Sequence, residues 1–91
     1  MSCQVEIGAK AGAQLAAMDA GLGAGVERRI QWLAENAPGM VHRRLVGMPP
    51  DLAGLCKLRI GDYRILYWVY PSKKLLRIYR TQHRSEVYRS L

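Results

Sequence analysis

Acidic side chains are scarce in this chain: seven Asp and Glu face fourteen Lys and Arg in 91 residues, for a formal net charge of +7. The half from residue 51 to 91 holds three acids, Asp51, Asp62 and Glu86. A metal-dependent nuclease needs clustered carboxylates, and this half does not supply them. Cysteines number two, Cys3 and Cys56. They are too few for a disulfide scaffold and lack the spacing of a metal site. A reduced, cytoplasmic setting is the simplest expectation. No apolar run reaches the roughly 20 residues that cross a bilayer. The N-terminus has no basic segment followed by an apolar one, so secretion is not indicated. The spacing Gly21, Gly23, Gly25 lacks the preceding strand and the lysine of a phosphate-binding loop. Neither a metal nor a cofactor is expected.

What is present is a folded composition. Hydrophobic residues make up 49% of the chain, which argues against disorder, and the length suits a single domain spanning 1–91. The positive charge is uneven. Residues 1–50 carry five Lys or Arg against four acids, and residues 51–91 carry nine against three. A basic face of this kind fits a polyanion, an acidic protein or anionic lipid, and equally a solvated surface.

Residues 3–8 alternate weakly and suit a short strand. Residues 9–20 are Ala-rich and read as a helix, which Gly21, Gly23 and Gly25 break. A second helix follows from about Val26, where Val26, Ile30, Leu33 and Ala37 form an apolar stripe. Pro38-Gly39 stops it. Those helices carry little net charge, which argues against reading a DNA groove. Residues 38–54, with Pro49-Pro50, read mostly as loop.

The remainder is a β-meander. Cys56 to Ile60 alternates apolar and basic residues. Gly61-Asp62 suits a type II′ turn, and Tyr63 to Tyr70 is rich in β-branched and aromatic residues. Residues 71–74 turn the chain into a strand from Leu75 to Thr81, and 83–91 form a basic tail with room for one helical turn. The turn predicts a register: Ile60 opposite Tyr63, Arg59 opposite Arg64, Leu58 opposite Ile65, Lys57 opposite Leu66. Alternation then gives Leu58, Ile60, Tyr63, Ile65, Tyr67 and Val69 one face, against the helices. Lys57, Arg59 and Arg64 share the other face with Leu66 and Trp68, two apolar residues that the tail or a partner should cover. Like charges across a ladder destabilise a sheet. An anionic ligand would lift that penalty; so would Asp62 or Glu86 as neighbours, or side chains splayed into water.

These residue types suit RNA cleavage without a metal. The 2′-hydroxyl attacks the adjacent phosphorus, giving a cyclic phosphate and a 5′-hydroxyl. Such a site removes one proton, donates another and stabilises the charged phosphorane. Arginine serves the last role through its two-pronged fork. His83 titrates nearest neutral pH and is a proton-transfer candidate. Tyr88 is another, if nearby arginines depress its pKa. A surface histidine and a tyrosine packed on the sheet are the plain alternatives. Cys56 faces the expected core and reads as a structural thiol. Ser72 or Ser85 with His83 lacks the surroundings of a nucleophilic serine.

The stretch Leu55-Cys56-Lys57-Leu58-Arg59-Ile60-Gly61-Asp62-Tyr63-Arg64-Ile65-Leu66-Tyr67, closed by His83-Arg84-Ser85-Glu86-Val87-Tyr88-Arg89, resembles the RelE/ParE superfamily of bacterial toxins from type II toxin–antitoxin modules. The resemblance implies an α+β fold of RelE type, with an N-terminal strand and helical hairpin packed on an antiparallel sheet and a basic C-terminal tail. In the RelE branch such a face enters the ribosomal A site and cleaves mRNA. Carried over to this chain, that implies catalytic roles for Lys57, Arg64, His83 and Tyr88 and RNA binding by Arg84; Arg59, by its place beside Lys57, and Arg80 are expected to bind RNA with them. It also implies a cognate antitoxin, for which Leu66 and Trp68 are the candidate contacts, and a toxin–antitoxin complex that binds operator DNA. Two positions depart from well-studied relatives. Leu55 stands where some carry a second lysine, and Gln82 where some carry an arginine, with Arg80 the nearest substitute. The tail set His83, Arg84 and Tyr88 favours the RelE branch over the ParE branch, whose members poison DNA gyrase. A toxin homologue without catalysis, which binds its antitoxin and co-represses transcription, is the third reading.

Overall fold

The computed structural model describes residues 3–83. Its elements run β1 (Gln4–Ile7), α1 (Ala9–Ala17), α2 (Ala20–Asn36), β2 (Arg43–Arg44), β3 (Cys56–Ile60), β4 (Tyr63–Tyr70) and β5 (Leu75–His83), with short 3-10 turns at Ala37–Gly39, Pro50–Leu52 and Pro71–Lys73. The strands form one sheet in the order β1-β5-β4-β3-β2, and the helices cover one face of it. The architecture is the expected α+β one.

The β3–β4 register is the one read from the turn: Ile60 opposite Tyr63, Arg59 opposite Arg64, Leu58 opposite Ile65, Lys57 opposite Leu66. Gly61 takes a φ of 54°. A type II′ turn demands positive φ at its first central residue, and there glycine has no Cβ to clash. The helix stripe also falls as expected. Val26, Ile30, Leu33 and Ala37 join Ile65, Tyr67, Leu76 and Ile78 in one buried cluster, with Leu58, Ile60 and Val69 packed against its rim. Cys56 belongs to the same cluster.

Three expectations are corrected, and one is refined. The glycines do not break the helices. The joint is Met18-Asp19, and the Gly23 amide donates to the Asp19 carbonyl at 2.8 Å, so α2 is already wound when the chain reaches them. Each glycine costs a helix up to about 1 kcal/mol, but docking of the Val26–Ile30–Leu33 stripe holds α2 together. The loop region 38–54 contains β2, too short to show alternation. The N-terminal strand pairs parallel to β5, Val5 beside Leu76 and Ile7 beside Ile78, in an otherwise antiparallel sheet. The helices and three strands between them form the long crossover that parallel pairing requires. Gly8 closes this edge: its amide donates to the Ile78 carbonyl at 2.9 Å, and a Cβ there would sit 3.1 Å from the same oxygen. Last, β5 runs on to His83 and carries a bulge. Leu66 faces Arg80 while Tyr67 faces Ile78, which leaves Tyr79 as the extra residue. The expected helical turn of the tail lies outside the described residues.

Two substitutions test this account. Leu33→Ala, at a fully buried position, should lower unfolding free energy by about 2–5 kcal/mol in urea titration followed by circular dichroism. Gly21→Ala should raise it by roughly 0.5–1 kcal/mol, because the position is helical and a Cβ meets nothing within 4 Å. A loss at Gly21 would contradict the continuous helix.

Candidate functional site

On the sheet face turned away from the helices, two like-charged pairs follow one another. Arg43 opposes Lys57 across β2–β3, and Arg59 opposes Arg64 across β3–β4. The four cations, with Met40, Val41 and Tyr67 among other residues, line a cavity of about 340 Å³. Directly opposed cations destabilise a ladder by up to about 1 kcal/mol each, so folding alone would not select them. Asp62, one candidate to neutralise them, forms no ion pair among the described residues; the Glu6–Arg77 pair, at 2.7 Å, lies at the other edge on β1 and β5. Arg59 is tied to the turn, its Nε donating to the Gly61 carbonyl at 3.2 Å. Lys57 and Arg64 are half-buried, and both line the cavity.

The other sequence-derived candidates are placed differently. Arg80 sits opposite Leu66 on β5, away from this cavity; its guanidinium lies 5.0 Å from the Tyr79 ring centroid, and its Nε is buried without a hydrogen-bond partner among the described residues. His83 ends β5 opposite Tyr63, and the backbone partner of Arg64 is Gln82, 3% exposed. Arg84 and Tyr88 lie outside the described residues.

Leu66, one of the two apolar residues expected to need cover on this face, is buried. It is 1% exposed, and Leu55, the other departure position, is fully buried; neither belongs to the main core, so the basic face carries an apolar layer of its own. The segment around Ala53-Gly54 returns to this face beside Trp68. Trp68 is half-buried there. Its Nε1 donates to the Ala53 carbonyl at 3.1 Å, and Tyr79 packs on its ring with centroids 5.2 Å apart.

Arg43 is the site residue that sequence reading missed. Its one signal was the dibasic Arg43-Arg44 inside an apparent loop. A polar cluster beside it was missed as well. The Nε2–H of His42 donates to the Ala37 carbonyl at 2.9 Å, so its Nδ1 accepts from the Tyr67 hydroxyl at 2.7 Å. Burial, reinforced by Cys56, pushes the Tyr67 phenol well above the usual tyrosine range. Burial also raises the Cys56 thiol, against the pull of Arg44 beside it. Both groups therefore stay protonated at neutral pH, and Cys56 is the structural thiol that its strand position indicated.

Among the described residues no three His, Cys, Asp or Glu gather as a metal site, and no helix is long and apolar enough to cross a membrane.

Comparison with known proteins agrees with this architecture. The toxin–antitoxin complex RelBE2 of Mycobacterium tuberculosis aligns with a TM-score of 0.77 at 26% identity, over 93% of this chain and 94% of that one. The isolated RelE toxin of Escherichia coli aligns at 0.69 and 18% identity, over 99% and 94%. The archaeal RelE–RelB complex of Pyrococcus horikoshii aligns at 0.69 and 19%, over 92% and 97%. No curated protein sequence matches the chain. A family model described as the ParE toxin of the type II toxin–antitoxin system, parDE, matches residues 6–88, from β1 through the whole sheet, and the chain therefore belongs to this toxin family.

Proposed function

We propose that the protein is a metal-independent endoribonuclease toxin that cuts mRNA on the ribosome. The observation that carries this reading is the pair of cation–cation ladders, Arg43 with Lys57 and Arg59 with Arg64, around one open cavity. A phosphodiester backbone turns their mutual repulsion into attraction. Arg64 stands on a central strand, where a rigid guanidinium can meet the charge that builds on phosphorus. Lys57 binds the same phosphate, and Arg59, Arg80 and Arg84 hold the flanking backbone. His83 and Tyr88 are the proposed proton-transfer pair. One takes the 2′-hydroxyl proton as that oxygen attacks phosphorus, and the other protonates the departing 5′-oxygen.

The partner proposed is a cognate antitoxin, since several similar structures are toxin–antitoxin complexes. With Leu66 buried, Trp68 is the apolar contact left for an acidic antitoxin segment on this face. The complex would also bind operator DNA. The family match itself favours a second reading, inhibition of DNA gyrase in the manner of the ParE branch.

Arg64→Ala should lower ribosome-dependent mRNA cleavage by about 100-fold or more in a primer-extension assay, the effect of losing one transition-state donor. His83→Ala and Tyr88→Ala should reduce cleavage while circular dichroism stays native. A gyrase supercoiling assay run beside it should show no inhibition. Growth inhibition retained in full by an Arg64→Ala/Tyr88→Ala double variant, with supercoiling blocked, would move the assignment to gyrase.

A further inference from the structure

The geometry points to Arg43 as a further phosphate-binding residue, held in place by His42 and Tyr67, which act as positioning residues. The inference rests on the RNA-cleaving reading and extends its site to a segment outside the meander.

β2 is two residues long, and two ladder pairs grip a strand weakly. On its C-terminal side the chain is held by one further backbone bond, from the Leu45 amide to the Leu55 carbonyl at 2.9 Å. On its N-terminal side the hold is His42. The ring bridges two elements. One nitrogen donates to the Ala37 carbonyl at the end of α2, and the other accepts from the Tyr67 hydroxyl on the central strand β4. Edge-to-face packing of the rings, centroids 5.6 Å apart, adds to the contact. Tyr67 is 1% exposed and buried in the core, so it is a fixed post rather than a mobile surface group.

Alternation does the rest. Side chains along an extended segment point to opposite sides in turn. His42 is anchored toward the core and Arg44 stands opposite Cys56, so Arg43 between them is delivered to the other face, opposite Lys57. A slip of one residue would set His42 or Arg44 opposite Lys57 and turn Arg43 to the core face. Met40 and Val41, which line the same cavity, belong to the anchored segment as well, and Val41 is 99% exposed at its rim. The latch therefore shapes one wall of the site and supplies one of its four charges.

The test is binding of a fluorescein-labelled single-stranded RNA oligonucleotide, by anisotropy across a salt series. Arg43→Ala should weaken binding roughly 3–10-fold and lower the salt slope by about one, as for one lost phosphate contact. Tyr67→Phe keeps every charge and the ring but removes the hydroxyl. It should give the same loss and the same change in slope, and the Arg43→Ala/Tyr67→Phe double variant should be no worse than either single one. A merely structural role for Tyr67 would lower stability without moving the salt slope. Wild-type RNA affinity in a folded Tyr67→Phe protein overturns the latch. Should that variant not fold, His42→Ala removes the same bond from its half-buried end and is read the same way. Wild-type affinity in Arg43→Ala, with Lys57→Ala and Arg64→Ala still weakened, overturns the role of Arg43 alone. If Lys57→Ala and Arg64→Ala also bind like wild type, the RNA-cleaving reading has failed.

Discussion

The pairing of β3 with β4 is the constraint on which the rest depends. A two-residue turn permits one register, and Gly61 at a φ of 54° lets the backbone make it. Side chains alternate across the sheet, so that single choice sorts all thirteen residues of the two strands between a core face and a ligand face. Burial of Ile65 and Tyr67 beneath the α2 stripe then makes any slip prohibitive, because it would carry Arg64 into the apolar core. The charges of the candidate site are thus held in position by the hydrophobic energy of the opposite face.

Rigidity reaches the ligand face from the other side too. Leu55 and Leu66 are buried on it, and the bond from Trp68 to the Ala53 carbonyl pins the returning segment 50–55 over β4. A cationic surface built on flexible loops would lose ordering entropy on each encounter with a phosphate. One built on the centre of a sheet and braced from both faces has little left to lose. The bulge at Tyr79 serves the same end: it adds a ring over Trp68 and shifts the strand so that Arg80 faces Leu66.

The fold does not by itself choose a target. The family model is one of ParE toxins, and the similar structures are RelE toxins and their complexes, so one architecture serves both. The discriminating information lies in charge placement. The cavity bounded by Arg43, Lys57, Arg59 and Arg64 gathers positive charge on an open face, and the proposed nuclease activity rests on that placement.

Local rules determined much of this protein. Turn chemistry at Gly61-Asp62, period-two alternation from Cys56 to Tyr70 and period-3.6 spacing from Val26 to Leu33 are short-range signals, and each was legible in the chain. They were enough to pair Arg59 with Arg64 and to put the cysteine thiol inside. Tertiary structure decided the rest. Glycines 21, 23 and 25 remain helical because docking outweighs their local cost. Trp68 finds a partner for its indole N–H because Ala53, 15 residues earlier, returns to β4. Arg43 joins the site because His42 meets Tyr67, 25 residues further along the chain. Contacts of that kind leave no periodicity in the sequence, since they depend on where the chain travels between the two partners rather than on either one's neighbours.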